Sequence, residues 1–374
     1  MQNSRKISRA IRAFISPVLQ RVAGTDATQA PGRVPGTPAK AARTKRLRLS
    51  LALQGGGSLG AFTWGVLDRL LEDKDIALDA VSGASAGAIN AVLLAAGLRQ
   101  GGVEGAREVL ARFWERASKV APRHPGGRAS SAFDLSTRIM SPYQFNPLDF
   151  NPLRSLLGEV DFEALRNDPP LRLLIGATRV SDGRLRVFRE HEITQDVVLA
   201  SACLPLLHHA VTIEGEAYWD GGYAANPPLM PLVTASRAAD IVVVQIIPTA
   251  GEELPRTSPE IIRRLNQMTF NNSLLHDLDT LSSMMELAKE QDGEGRLSRK
   301  LRRLRLHRVS AEDAVPDLSE LSAFNLDWDL LARLRESGRA AAEAWLDERQ
   351  SGEQSEAAGE PIGSRRRLHE LTGP

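Results

Sequence analysis

Hydrophobic and polar positions follow the periods of strands and helices along residues 47–346. Leu47–Leu53 alternates leucine with small or polar residues, as a strand does. Further apolar runs predict strands at Ala77–Val81, Leu171–Thr178, Arg184–Phe188 and Ile241–Ile247. Apolar stripes at helical spacing predict helices at about Ser58–Asp73, Ala86–Leu98, Ser258–Glu290 and Asp327–Leu346. Because strands alternate with helices, the pattern predicts an α/β fold with a mostly parallel sheet.

The two ends of the chain differ from this body. Residues 1–48 carry eleven lysines and arginines against one acid, a charge of +10, whereas the rest of the chain carries −9. Five apolar residues recur at helical spacing between these charges: Ile7, Ile11, Phe14, Ile15 and Val18. The pattern is typical of a short helix on an anionic bilayer surface, and a solvated, partly disordered leader is the alternative. Few apolar residues follow Trp345, which predicts a disordered tail.

Composition narrows the class of protein. Hydrophobic residues make up 42% and charged residues 25%, which excludes a chain that is disordered throughout. Cys203 is the single cysteine, so no internal disulfide can form. The most apolar stretch, Ala84–Leu98, is too short for a membrane span. The basic arm lacks a pattern of aromatic residues interleaved among its charges, so no nucleic-acid partner is predicted. We expect a cytoplasmic protein, in which the arm would allow peripheral contact with an anionic membrane.

A glycine-rich turn, GGGSLG at residues 55–60, links the first predicted strand to the first predicted helix. Unsatisfied N–H groups at such a turn bind an anion, either a phosphate or the oxyanion of an acyl-transfer intermediate. A P-loop would need Lys-Ser/Thr after the last glycine, but Ala61 and Phe62 follow. A dinucleotide site would use Asp75 or Asp79 as the ribose-binding acid. The turn alone leaves cofactor and oxyanion equally open.

A second turn, Gly83-Ala84-Ser85-Ala86-Gly87, has the G-x-S-x-G pattern of a nucleophile elbow. Small neighbours allow the strained strand-to-helix turn that projects a serine hydroxyl out of the backbone. Ser85 is the central residue. Since the second strand ends at this elbow and not at a ribose-binding acid, the pattern favours an oxyanion over a nucleotide at residues 55–60.

A third motif, Asp220-Gly221-Gly222, supplies a carboxylate. By itself, an aspartate before two glycines is usually only a turn. His208 and His209 are the histidines placed nearest to the other candidates, and a Ser-His-Asp triad with either of them stays open.

In this order, the three motifs resemble those of the bacterial patatin-like phospholipases. The resemblance implies a three-layer α/β/α fold and a Ser–Asp dyad without histidine, with Ser85 as nucleophile and Asp220 as base. It implies an oxyanion hole formed by the glycines of the first turn, chiefly around Gly56 and Gly57: Gly55, Gly56, Gly57 and Gly60. It also implies glycines that support the other two motifs: Gly83, Gly87, Gly221 and Gly222. Leu59 departs from the family, in which many members carry Arg or Lys there.

The predicted organisation has four parts: a basic arm at 1–46, the hydrolase domain at 47–250, a helical extension at 251–346 and a disordered tail at 347–374. The expected activity is hydrolysis of ester-linked acyl chains of phospholipids, as a phospholipase A or lysophospholipase. The alternatives are a carboxylesterase or depolymerase for another acyl ester, and a membrane-associated binding protein with an inactive site. No metal and no cofactor is expected. Phe133–Phe150 is interpreted as a lid over an acyl pocket or as ordinary core.

Overall fold

The computed structural model describes residues 46–120, 140–249, 254–290 and 295–357. The strands are β1 Leu47–Leu53, β2 Ile76–Gly83, β3 Arg172–Arg179, β4 Leu185–Arg189, β5 Val211–Ile213, β6 Glu216–Asp220, β7 Asp240–Gln245 and β8 Arg305–Ser310. The helices are α1 Gly60–Glu72, α2 Ala86–Val120, α3 Pro142–Phe145, α4 Pro152–Leu156, α5 Phe162–Asn167, α6 Gln195–Ser201, α7 Leu229–Ala235, α8 Ser258–Glu290, α9 Arg296–Arg303 and α10 Trp328–Ala357. The predicted amphipathic helix of the basic arm lies outside the described residues. Within the described ranges, no helix is apolar over enough of its length to span a bilayer.

The strands form one sheet in the order β5-β6-β3-β2-β1-β7-β8, with β4 paired to β3. Four strand pairs are parallel: β1 with β2, β1 with β7, β2 with β3, and β7 with β8. The strands β4, β5 and β6 pair antiparallel at one edge. In this arrangement β1 and β2 lie at the centre, so the turns that follow them open at one end of the sheet.

Helices cover both faces of the sheet and bury two apolar cores. In β7, Val242 and Val244 point into the larger core with α1, α2 and α10, whereas Ile241 and Val243 point into the smaller core with α7, α8 and α9. A strand buried on both faces is apolar along its central positions, as Ile241–Val244 are here. The predicted three-layer α/β/α fold with a mostly parallel sheet is confirmed.

The helices α1 and α10 pack with their backbones in close approach. A Cβ on Gly65 would overlap the Arg335 carbonyl, and one on Gly338 would overlap the Phe62 carbonyl. At the rim of this contact, Asp68 is ion-paired with three arginines: Arg107, Arg335 and Arg339. These contacts hold the C-terminal helix α10 against α1, the helix that follows the first glycine-rich turn.

The structure adds three strands that the pattern did not predict. Two of them, β5 and β6, lead into the Asp-Gly-Gly motif, with Asp220 as the last residue of β6, and β8 lies in the segment for which helices alone were predicted. The helix α2 continues past Leu98 through a break at Gly101 and Gly102, and α10 continues past Leu346 into the segment predicted as tail.

Candidate active site

Ser85 lies in a sharp turn between β2 and α2. Its φ of +53° is in the left-handed region that residues other than glycine rarely adopt. The Ser85 N–H donates to the Ser201 carbonyl at 3.0 Å and to the Ser201 hydroxyl at 3.1 Å. The Ser201 hydroxyl itself donates to the Gly176 carbonyl at 2.6 Å. Gly83 and Gly87 flank the turn where it packs against neighbouring backbone. The strained conformation of Ser85 is therefore held by β3 and by the end of α6.

The first glycine-rich turn lies directly against this elbow. A Cβ on Gly55 would be 2.5 Å from the Cβ of Ser85, so only glycine fits there. The fully buried Asn226 holds Gly55 from the other side: its Oδ1 accepts the Gly55 N–H at 2.7 Å, and its Nδ2 donates to the Gly55 carbonyl at 3.0 Å. The same Nδ2 donates to the Phe270 carbonyl at 3.1 Å. The loop after the Asp-Gly-Gly motif thus fixes the turn beside Ser85.

Two backbone N–H groups of the glycine-rich turn donate no hydrogen bond within the described residues. In the described part of the chain, those of Gly56 and Gly57 have no acceptor, whereas the Gly60 N–H donates to the Gly57 carbonyl. Gly57 has a φ of +59°, and the next N–H, that of Ser58, donates to the Ala323 carbonyl at 2.8 Å. The loop before α10 thus fixes the turn from outside. Of the four glycines predicted to form the oxyanion hole, only Gly56 and Gly57 therefore have N–H groups without an acceptor among the described residues.

Asp220 ends β6 and is fully buried. Its Oδ1 accepts the Gly222 N–H at 2.7 Å, and its backbone carbonyl accepts the Thr178 hydroxyl at 2.7 Å. Its Oδ2 has no hydrogen-bond partner of ordinary geometry among the described residues. The Ser85 hydroxyl lies close enough to this carboxyl group to lower its pKa, so the two side chains approach each other without a fully formed hydrogen bond. Gly221 packs beside the elbow at Ala84.

The electrostatics of Asp220 are dominated by desolvation. Burial raises the pKa of Asp220 to about 7, although the Gly222 N–H and the Ser85 hydroxyl lower it. A carboxyl group that titrates near neutrality can exchange a proton with a neighbouring hydroxyl far better than a solvated aspartate can.

The two histidines lie elsewhere. The His209 ring stacks on Tyr143 with 4.1 Å between ring centroids, and its Nε2 is 3.1 Å from the Pro142 carbonyl. Burial lowers the pKa of His208, whose Nδ1 has no partner in the described ranges. Neither ring has a hydrogen bond or ion pair with Ser85 or Asp220 among these residues. The geometry gives no support to a histidine-containing triad.

The nearby segment 140–150 does not contribute to the core. Leu148 and Phe150 are 90% and 72% exposed, and Tyr143 is also exposed. The earlier part of the lid-or-core prediction, including Phe133, lies outside the described residues. For Tyr143, Leu148 and Phe150 the interpretation as ordinary core is wrong, because these side chains lie on the surface beside the loop that carries His209, whereas Phe145 is half-buried.

Three supporting groups were not identified from the sequence: Ser201, Asn226 and the Ala323 carbonyl. Ser201 and Asn226 each lie in a short run next to a recognised motif, so a search for buried polar residues beside the motifs would find them. Ala323 acts through its carbonyl, which no side-chain pattern reveals. Leu59, where many relatives have a cation, is buried in the core.

The donor set offers little to a metal ion. Within the described ranges, no group of three or more His, Cys, Asp or Glu side chains converges on one point. Burial raises the pKa of the Cys203 thiol to about 12, which leaves it protonated and unreactive at neutral pH. Asp79, one of the two acids considered for a nucleotide ribose, is instead ion-paired with Arg172 at 3.1 Å.

Three comparisons relate this chain to known proteins. The family model described as patatin-like phospholipase matches residues 51–233, a range that contains all three motifs. The uncharacterized protein YjjU of Escherichia coli (strain K12) is 25% identical over 280 residues, which cover 73% of each chain. VipD from Legionella pneumophila is similar in structure with a TM-score of 0.34 and 15% identity, over 84% of this chain and 77% of that one. ExoU, solved with SpcU from Pseudomonas aeruginosa, has a TM-score of 0.29 and 16% identity, over 84% and 78% of the two chains.

Proposed function

Because residues 51–233 form a patatin-like phospholipase domain, and this family implies a lipid ester hydrolase, we propose that the chain cleaves ester-linked acyl chains of phospholipids through a Ser85–Asp220 dyad. The observation that carries the proposal is the Asp220 carboxyl group: it is fully buried, one oxygen has no hydrogen-bond partner within the described ranges, and the Ser85 hydroxyl lies against it. An unpaired buried carboxylate is costly in a fold, and a functional site is where such a cost is expected.

The reaction would begin with attack of Ser85 Oγ on the ester carbonyl carbon. The hydroxyl proton passes to Asp220 Oδ2, and the tetrahedral oxyanion accepts the N–H groups of Gly56 and Gly57. Collapse of this intermediate breaks the bond to the alcohol, which leaves with the proton from Asp220. Water then attacks the acyl-enzyme as Asp220 again takes a proton. Collapse of this second intermediate breaks the bond to Ser85 Oγ, which recovers the proton from Asp220, and the free fatty acid is released. Gly55 and Gly60 shape the turn in this scheme, since their own N–H groups are occupied.

Within the family, we favour a phospholipase A or lysophospholipase over an esterase for small soluble esters. Asp149 lies 3.9 Å from His209 in the loop next to Asp220, and its neighbours Leu148 and Phe150 are exposed apolar side chains that suit a substrate with long acyl chains. The backbone supports this placement, since the Asp220 N–H donates to the Cys203 carbonyl and the Cys203 thiol to the His209 carbonyl.

The dyad is tested by two substitutions. Ser85→Ala removes the nucleophile and Asp220→Asn removes the base while keeping the side-chain shape. Each should lower kcat/KM for a soluble short-chain ester by about three orders of magnitude or more, measured as released fatty acid. The wild type should be labelled at Ser85 by a fluorophosphonate probe. As a control, Ser118→Ala changes a half-buried serine on α2 whose hydroxyl donates only to the Glu115 carbonyl of the same helix, and it should behave as wild type.

Wild-type turnover by Ser85→Ala would exclude this assignment. Absence of both labelling and hydrolysis in a folded wild type would favour the alternative of a binding protein with an inactive site.

A further inference from the structure

The peptide group between Gly55 and Gly56 is bound by one buried side chain, that of Asn226. Asn226 is fully buried, and its Nδ2 donates to the Gly55 carbonyl at 3.0 Å. This peptide bond is trans, so its carbonyl and its N–H lie in one plane and point in opposite directions. A hydrogen bond to the Gly55 carbonyl therefore fixes the direction of the Gly56 N–H, which points away from Asn226.

The two glycines make such a restraint necessary. Because Gly55 and Gly56 have no Cβ, their φ and ψ are not limited to the regions that other residues adopt. The peptide group between them can therefore rotate more freely than one between residues with side chains. A side chain that binds its carbonyl supplies the restraint that the glycine backbone lacks.

The second N–H group without an acceptor, that of Gly57, is oriented in another way. The carbonyl of its peptide group belongs to Gly56 and accepts the Leu59 N–H at 3.2 Å, within the short 3₁₀ turn itself. The Gly56 N–H, in contrast, depends on a side chain that lies 171 positions from Gly55 in the chain. Loss of Asn226 should therefore disturb the direction of one donor and leave the other in place.

The contacts of the Asn226 side chain require both an acceptor and a donor. Its Oδ1 accepts the Gly55 N–H at 2.7 Å, and its Nδ2 also donates to the Phe270 carbonyl at 3.1 Å. An aspartate would have the same shape but would place an oxygen against these two carbonyl groups. The Asn226 backbone N–H donates to the Ser273 hydroxyl at 3.0 Å, so α8 holds the residue that holds the turn.

We propose that Asn226 is a positioning residue for the oxyanion hole: it binds the Gly55 carbonyl and thereby aims the Gly56 N–H at the oxyanion of the tetrahedral intermediate. The proposal rests on the proposed function and deepens it, because it separates the two oxyanion donors by what orients them. A hydrogen bond to the carbonyl also polarises the peptide group and makes its N–H a stronger donor. Since the oxyanion exists only after attack on the ester, loss of Asn226 should lower kcat more than it raises KM.

The first test compares Asn226→Ala and Asn226→Asp with the wild type on a soluble short-chain ester. Complete loss of one oxyanion donor lowers kcat by about a hundredfold to a thousandfold. The Gly56 N–H remains present in both variants, so we expect kcat to fall by about tenfold to a hundredfold, with KM changed by no more than about twofold. Asn226→Asp keeps the acceptor for the Gly55 N–H but loses the donor, so its kcat should fall as far as that of Asn226→Ala.

A pair of inhibitors distinguishes a misdirected donor from general damage to the site. With a trifluoromethyl ketone, Ser85 Oγ bonds to the carbonyl carbon, the hydroxyl proton passes to Asp220, and the carbonyl oxygen becomes an oxyanion. The corresponding methyl ketone binds without this addition. In Asn226→Ala, the inhibition constant of the trifluoromethyl ketone should rise by the factor by which kcat/KM falls, whereas that of the methyl ketone should not change.

Ser273→Ala is the matched control. It removes the acceptor of the Asn226 backbone N–H but leaves both side-chain contacts with Gly55. We expect this variant to unfold at a lower temperature than the wild type and to keep the wild-type kcat and both inhibition constants.

Three results would overturn the positioning role. They are a folded Asn226→Ala with wild-type kcat, an Asn226→Asp with wild-type kcat, and equal weakening of the two ketones. Thermal unfolding verifies that each variant folds, and if one of the two fails to fold, the other decides. Wild type and Ser85→Ala are measured in the same assay. An inactive wild type, or an active Ser85→Ala, refutes the proposed function, whereas hydrolysis that requires Ser85 but not Asn226 refutes the positioning role alone.

Discussion

Asp220 places a carboxyl group in surroundings that oppose its charge. One oxygen accepts the Gly222 N–H, the other is unpartnered, and no cation in the described residues contributes to its pKa. A paired aspartate would be a weak base at neutral pH, whereas this one is close to half ionised. The residue thus combines an energetic cost to the fold with the property that the proposed proton transfer requires.

The raised pKa predicts the pH dependence of the reaction. Only ionised Asp220 can take the Ser85 proton, so kcat/KM for a soluble ester should rise with pH and reach half its plateau near pH 7. The measurement is a pH–rate profile in buffers of constant ionic strength. A flat profile between pH 5 and pH 9 would show that Asp220 is not the base.

The same group predicts a loss of stability as pH rises. In the unfolded chain Asp220 loses its proton near pH 4, but in the folded protein only near pH 7, so the folded state binds more protons between these values. The free energy of unfolding therefore falls across this window, by a few kcal/mol as an order of magnitude. Asp220→Asn, which cannot ionise, should unfold at a higher temperature than wild type at pH 8 and show a smaller difference at pH 5. An unchanged difference would mean that the pKa of Asp220 is not raised in the folded protein.

At the scale of elements, the sequence predicted those parts whose signal is local. The alternation in Leu47–Leu53 and the Ser-Pro start at residue 258 matched β1 and α8 at their ends. The short strands β5 and β6 and the polar strand β8 were missed, because their position is set by pairing and not by an apolar run of their own: β6 pairs with β3, β5 with β6, and β8 with β7. The nucleophile and carboxylate were proposed from motifs, whereas their supports, Ser201, Asn226 and Ala323, depend on contacts between distant segments.

The close contact of α1 and α10 predicts a specific sensitivity at Gly338. Gly338→Ala would gain helix propensity of up to about 1 kcal/mol, but its methyl would overlap the Phe62 carbonyl, and backbone cannot move aside cheaply. We expect a net loss of about 1–3 kcal/mol in the free energy of unfolding, measured by urea denaturation. Gly158→Ala is the matched control, since open space surrounds Gly158. Equal stability of the two variants would mean that α10 shifts to accommodate the methyl.

At the scale of the whole molecule, charge is divided between the ends and the body. Residues 1–48 carry +10 and the rest −9, so the folded body would be repelled by an anionic bilayer unless cations faced it. One basic segment is available for that task in our proposals, the arm.

Deletion of residues 1–45 is predicted to weaken binding to anionic vesicles while leaving hydrolysis of a soluble ester unchanged. The first strand begins at Leu47, so the deletion leaves the sheet whole. The loss should shrink as salt is raised, because an interaction carried by exposed charges is screened. Unchanged vesicle binding at low salt would assign the arm another role.

The hydrogen bonds between Ser58 and the loop before α10 have a consequence for the order in which the protein becomes active. The Ser58 hydroxyl donates to the Ser322 carbonyl, 264 residues later in the chain, and the Ser58 N–H donates to the Ala323 carbonyl. During synthesis, the reactive serine and aspartate leave the ribosome well before the loop that steadies their oxyanion donors. A nascent chain, or a chain cleaved before that loop, would then not hydrolyse membrane lipids. A clipped product that still hydrolyses esters at the intact rate would contradict this form of delayed maturation.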